Sequence, residues 1–198
     1  MPNWCYTNIT ISHHDETKVE DLYKKICEWS HKDFCENGFH DGWLGNIVGN
    51  SGIADPLGKD APRCRGTLNS IYFEGGQISL STETAWAPML KMWRMLLDKY
   101  LPDAELIFTA EEPGCGLFET NDPDVIGKYY IDVCDDPPED ADKDYCDSCW
   151  DAEEDYTRTF LQKALKTEES DINKLIKMND DSWFYVSQWE ESRMEEWG

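Results

Sequence analysis

Within the 198 residues, the spacing closest to a metal knuckle is Cys146-Asp147-Ser148-Cys149. Thiolates three positions apart can share one tetrahedral zinc ion, and Cys134, twelve residues upstream, would offer a third sulfur. A complete site needs one more ligand, and neither a second C-x-x-C nor a downstream His follows. Cys134, Cys146 and Cys149 are therefore read first as free thiols in an acidic stretch, with a zinc-dependent enzyme as the alternative. A redox role fits less well, because surrounding carboxylates favour the protonated thiol. A second group comprises Cys27, His31, Cys35, His40 and Cys64. Cys27 and His31 would share a helix face at i, i+4, yet Cys27 also continues an apolar stripe, the ordinary use of a free cysteine. His13 and His14 fall in an expected strand-to-helix turn and read as solvated surface. No Gly-x-Ser-x-Gly or dinucleotide fingerprint occurs, and none of the glycines at 42–58 is followed by the Lys-Ser or Lys-Thr of a phosphate loop. Carboxylates are so numerous that pairs arise by chance, and none stands in a glycosidase or nuclease context. The expectation is a non-enzymatic protein without a cofactor.

What the chain has in abundance is negative charge: 41 acidic against 18 basic residues, net −23. The imbalance is uneven, with net −5 over residues 1–110 and net −18 over residues 111–198. Twelve acidic residues and one Lys fall within 132–155. Such a field repels nucleic acid and anionic membranes and steers the surface onto basic ones. Asp135, Asp136, Glu139, Asp140, Asp142, Asp144, Asp147, Asp151, Glu153, Glu154 and Asp155, spread along this segment, would occupy an Arg/Lys groove built for phosphates. Tyr145 and Trp150, with Tyr156 just beyond, would supply the anchors that charge alone lacks. The expected partner is a basic nucleic-acid-binding protein, with no direct contact to nucleic acid or membrane. The plain alternative is a solvated charge run serving solubility.

These residues need a scaffold. Residues 4–11 alternate, with Cys5, Thr7, Ile9 and Ile11 on one face and Trp4, Tyr6 and Asn8 on the other, which predicts a strand with one buried face. Asp15 can cap a following helix whose apolar positions are Val19, Leu22, Tyr23, Ile26 and Cys27. Residues 31–66 are rich in Gly and Pro with little periodicity, which predicts a long loop containing one helical turn. Residues 68–73 and 77–82 read as strands joined at Glu74-Gly75-Gly76. Pro88 opens a helix carrying Met89, Leu90, Trp93, Leu96, Leu97 and Tyr100, and residues 104–110 alternate again. The order strand, helix, strand, strand, helix, strand predicts an α+β domain with ferredoxin-like βαββαβ topology, both helices on one face of an antiparallel sheet. Short strands near 116–119 and 128–133 would extend that sheet as a hairpin, giving a first domain over 1–133. Residues 134–198 read as an acidic, mainly helical extension, with helices over 151–166, 170–178 and Trp183 to Trp197. Its Trp183, Phe184, Trp189 and Trp197 would pack on the open sheet face of the first domain, where Trp4, Tyr6 and Tyr72 lie.

Three segments carry a resemblance. Met1-Pro2-Asn3-Trp4-Cys5 opens the chain, Glu83-Thr84-Ala85-Trp86-Ala87-Pro88 precedes the second core helix, and Glu111-Glu112-Pro113-Gly114 follows the fourth strand. In order and spacing they resemble a phage- and plasmid-borne family with a YubB-type ferredoxin-like domain, over roughly residues 1–133. Ala87 stands where that pattern has a Ser, which would cap the helix; the 31–66 loop and the acidic tail are private to this chain. The resemblance implies no transferable activity, only a mobile-element setting, most naturally a bacteriophage. Joined to the acidic field, it leads to the expectation of a counter-defence inhibitor, of anti-CRISPR or anti-restriction type, that blocks a basic host nuclease. An accessory interaction module without inhibitor activity is the alternative. The start of the chain lacks a basic segment and an apolar core, and no run of about 18 apolar residues occurs. The expected setting is thus the cytoplasm of the host bacterium, with the eight cysteines as free thiols.

Overall fold

A computed structural model of the chain describes residues 3–35, 41–133, 138–142, 144, 147–179 and 183–192. It is α+β and forms two compact units, one over Met1–Asp122 with Ser192–Gly198, the other over Pro123–Glu191.

The first unit begins with β1 (Trp4–Ser12), whose burial alternates strictly as the sequence requires. Helix α1 (Glu16–His31) follows, capped by the Asp15 carboxylate, which accepts the Lys18 amide, and the helix buries Val19, Leu22 and Ile26 on one stripe. His13 is not merely solvated, since its Nδ1 accepts the Asp15 amide at 3.0 Å. Strands β2 (Gly66–Glu74) and β3 (Gln77–Ala85) form a hairpin, and φ of +58° and +77° at Gly75 and Gly76 are what a two-residue primed turn demands. Helix α3 (Leu90–Tyr100) buries Leu90, Met92, Trp93, Leu96 and Leu97. Its N-cap is Met89, without a side-chain cap, so Ala87 lies outside the cap position. Strands β4 (Glu105–Glu112) and β5 (Leu117–Thr120) complete this part, with neighbours in the order β2-β3-β1-β4-β5 and antiparallel pairing along it. One core joins Cys5, Ile9, Ile11, Ile78, Leu80, Leu106 and Phe108 to the buried stripes of the helices. Each fully buried aliphatic side chain there contributes roughly 1.5–3 kcal/mol. On the opposite face Trp4, Tyr6 and Tyr72 are exposed.

The 31–66 segment holds more order than a loop with one turn. Helix α2 (Leu44–Asn50) buries Leu44, Gly45, Asn46, Ile47 and Val48 and contacts α1. The Asn46 Oδ1 accepts the Phe34 amide at 3.0 Å. A Cβ at Gly45 would overlap the Trp43 ring, and one at Gly49 the Phe34 ring, so both glycines serve close packing rather than flexibility.

The second unit departs from the expected helical extension. Strand β6 (Tyr129–Val133) does not extend the first sheet; it is the centre of a separate sheet of order β7-β6-β8, between β7 (Cys149–Ala152) and β8 (Phe184–Gln188). Tyr129, Tyr130 and Ile131 are buried in succession, as in a strand covered on both faces. Helices α4 (Glu154–Ala164) and α5 (Ile172–Lys177) are shorter than the helices expected over 151–166 and 170–178. The segment expected as a helix from Trp183 is a strand, because Phe184 and Val186 bury on alternate positions; Trp197 lies outside the described residues. Phe184 joins Tyr129, Ile131, Phe160, Leu161, Ile172 and Leu175 in the core of this unit, with Trp183 packed against it. Trp189 is buried edge-on against Tyr130 at 6.1 Å. Trp183, Phe184 and Trp189, read as a cover for the first sheet, thus have partners within their own unit.

Candidate functional site

Of the residues expected to meet a partner, Glu139, Asp140, Asp142, Asp144, Asp147, Trp150, Asp151, Glu153, Glu154 and Asp155 are all exposed. Asp135, Asp136 and Tyr145 lie outside the described residues. The acidic segment is tied down at defined points. Lys163 on the last turns of α4 bonds the Asp142 carboxylate at 2.8 Å, and Lys166 bonds that of Asp140. These ammonium groups hold both carboxyls below the ordinary carboxylate range. Glu153 is the N-cap residue of α4, and Glu154 and Asp155 stand in its first turn, where the helix dipole favours negative charge. Arg158 pairs with both Glu154 and Asp155, and Lys128 reaches Glu153 at 3.1 Å.

Trp150 is the large apolar group among these carboxylates, and it is 52% exposed. Its ring stands edge-on to buried Tyr130 at 5.1 Å, and its carbonyl accepts the Trp189 indole N–H at 2.6 Å. Strand and ring contact together fix the side chain at the surface, so presenting it to a partner costs little rotamer entropy. Tyr156, on the first turns of α4, is also exposed.

The thiol groups are not drawn together into a ligand set among the described residues. Cys134 and Cys146 lie outside those residues; Cys149 is half-buried and its thiol faces Asp151 at 3.9 Å. In the second group the His31 Nδ1 lies 2.7 Å from the Cys27 carbonyl, and its Nε2 is 3.9 Å from Asp41. Cys64 is buried, which pushes its thiol up, and His40 lies outside the described residues.

A constellation that sequence reasoning quoted but did not assemble sits at one end of the first sheet. The three segments that carry the family resemblance meet there. The Trp86 amide donates to the Asn3 carbonyl at 2.9 Å, and the Asn3 side-chain amide donates to the Cys115 sulfur at 3.4 Å. Thr84, fully buried, directs its hydroxyl to the Ala87 carbonyl at 2.9 Å, with the Cys5 carbonyl at 3.3 Å. Glu112 is only 3% exposed; one oxygen accepts the Gly114 amide at 3.1 Å and the other is buried without a hydrogen bond. Trp86 holds φ at +72° with its ring half exposed, an unusual backbone state for a bulky residue. Burial pushes the Cys5 thiol up to about 11, and side-chain hydrogen bonding with Glu112 pushes the Cys115 thiol up as well. Both sulfurs are kept protonated, the reverse of what thiolate chemistry requires. The corner therefore reads as a lock joining three chain segments. Its signal was the clustering of Asn, Thr, Glu and Gly at strand ends, where side chains satisfy loose backbone groups.

Neither a family model, nor a curated protein, nor a solved structure matches the chain. Among the described residues no helix is long and apolar enough to cross a membrane.

Proposed function

We propose that the chain is a non-enzymatic inhibitor that binds a basic nucleic-acid-binding protein through the carboxylate surface of its second unit. The partner is a nuclease effector of a host bacterium, and the acidic surface takes the place of phosphates in its groove. This is a counter-defence role of anti-CRISPR or anti-restriction type, carried out in the host cytoplasm by a phage-borne protein. The observation that carries the reading is Trp150: an exposed indole on β7, packed edge-on against Tyr130, in a stretch of chain whose Asp147, Asp151, Glu153 and Glu154 are exposed as well. Carboxylates provide steering and register, and a fixed aromatic provides the desolvated contact that dominates affinity. The strand order β2-β3-β1-β4, with β1 antiparallel to both its neighbours, supports reading the first unit as ferredoxin-like.

A second reading is favoured by one observation. Lys128, Arg158, Lys163 and Lys166 each engage carboxylates of this same surface. In an accessory module without inhibitor activity, those pairs would serve to hold the acidic segment, and the charge would serve solubility. Competition separates the two. A partner captured on the tagged chain should be displaced by excess duplex DNA or heparin if the surface occupies a phosphate groove. Retention of the partner in excess polyanion would count for the accessory reading.

A further inference from the structure

In a chain with more than twice as many acids as bases, most described cations of the second unit are engaged by carboxylates, whereas Arg63 and Arg65 are not. Neither guanidinium has an ion-pair or hydrogen-bond partner among the described residues, and both are exposed. They stand at an open cleft of about 330 Å³ in the first unit, whose other lining includes Trp43, Pro56, Ala61 and Pro62. That volume lies at the lower end of small-molecule sites.

The backbone explains the placement. Residues 63–65 lead into β2 with burial alternating exposed, buried, exposed, as on a strand, and the Arg65 carbonyl accepts the Ala85 amide at 3.0 Å. Two residues apart on an extended chain share a side. Arg63 and Arg65 therefore point together to solvent, while Cys64 between them turns into the core. Trp43, the N-cap residue of α2, bridges to Thr67 near the start of β2 and forms an apolar wall. The two carboxylates of the same loop are Asp55, which accepts the Leu57 amide at 3.0 Å, and Asp60, which is exposed.

We propose that this cleft binds a small phosphate monoester with a planar apolar body. Two guanidinium groups match the charge and the oxygen-rich geometry of a phosphate dianion better than that of a carboxylate. The Trp43 and proline wall takes the apolar body. The cleft lies within the first unit, and its ligand would be anionic, whereas the partner proposed for the acidic surface of the second unit is basic.

Phenyl phosphate, inorganic phosphate and phenol, titrated into the 15N-labelled full chain at 0.15 M salt, test the assignment. Phenyl phosphate should shift the amides of Gly58, Ala61 and Arg65 and the Trp43 indole saturably. Inorganic phosphate should move the same signals more weakly, and phenol should leave them in place. Arg63→Gln and Arg65→Gln should each weaken binding about ten- to hundredfold. Ala61→Phe, which fills the cleft without changing charge, should abolish phenyl phosphate binding. Shifts spread over lysines away from the cleft, a response to phenol equal to that of phenyl phosphate, or unaltered affinity in both arginine variants would overturn the proposal.

Discussion

The two units solve the same problem with different means. In the first, 24 buried apolar residues among those described form one core, with long strands of which β1 and β4 alternate along their whole length. In the second, nine such residues suffice, five of them contributed by the short strands β6 to β8. The second unit also carries the denser charge, net −13 over residues 123–191 against net −10 over the rest of the chain. A small core under strong self-repulsion is the less stable arrangement, and local cations offset part of that repulsion. Lys128, Arg158, Lys163 and Lys166 act there, where the acids are most crowded. The contrast suggests a division of labour: the first unit is a scaffold with a corner lock and a cleft, and the second holds its acidic surface in a fixed form.

The largest effect should come from the smaller core. Phe160 is fully buried in α4 and meets Phe184 edge-on at 4.9 Å. Phe160→Ala should cost about 3–5 kcal/mol, enough to raise hydrogen exchange across β6 and β8 while the amides of β1 and β3 stay protected. Equal loss of protection in both sheets would break the comparison, since the units would then unfold as one.

A smaller effect tests the first unit. Gly45→Ala raises helix propensity by about 1 kcal/mol, but the added methyl would enter the Trp43 ring. Overpacking costs about 1–3 kcal/mol, so a net destabilisation near 1 kcal/mol is expected in urea unfolding. A stabilised variant would mean that Trp43 moves aside freely, and the apolar wall of the cleft would lose its support.

The same glycine explains what the sequence concealed. Strands β1 and β3 and helix α3 were legible because one-face burial imposes periods of 2 and 3.6 on their residues. Helix α2 was not, because Gly45 and Gly49 are poor helix formers whose value appears only when Trp43 and Phe34 lie upon them. Strand β6 was legible near 128–133 but was assigned to the first sheet, because Tyr129, Tyr130 and Ile131 are buried together and show no alternation that would say which sheet they join; β8 was missed, because the aromatics around Phe184 and Val186 also suit a helix stripe. The acidic surface was legible as composition alone. That Lys163 and Lys166 fasten it depends on α4 passing beside residues 140–142, a juxtaposition absent from the order of residues. The corner of Asn3, Thr84, Trp86 and Glu112 was visible as three motifs and became one feature only through the pairing of β1 with β3 and β4.

The gentlest perturbation is pH. The folded carboxyls of Asp140 and Asp142 are held below their ordinary range by lysine, so their tethering is present above the unfolded pKa and lost as pH falls through the lowered folded values. Below about pH 4, amides at 140–142 should loosen first, with those of the first sheet unchanged, as followed by NMR. Simultaneous loosening of both regions would remove the local role assigned to these pairs.

Binding of a basic partner by the acidic surface is tested most plainly by capture on the tagged chain from a bacterial lysate, eluted along a salt gradient, beside a variant carrying Trp150→Ala, Asp144→Asn, Asp147→Asn and Asp151→Asn. The native chain should retain a basic nucleic-acid enzyme that elutes as salt rises, and the folded variant should retain none. Retention of the same protein by both chains, at the same salt, would contradict such binding.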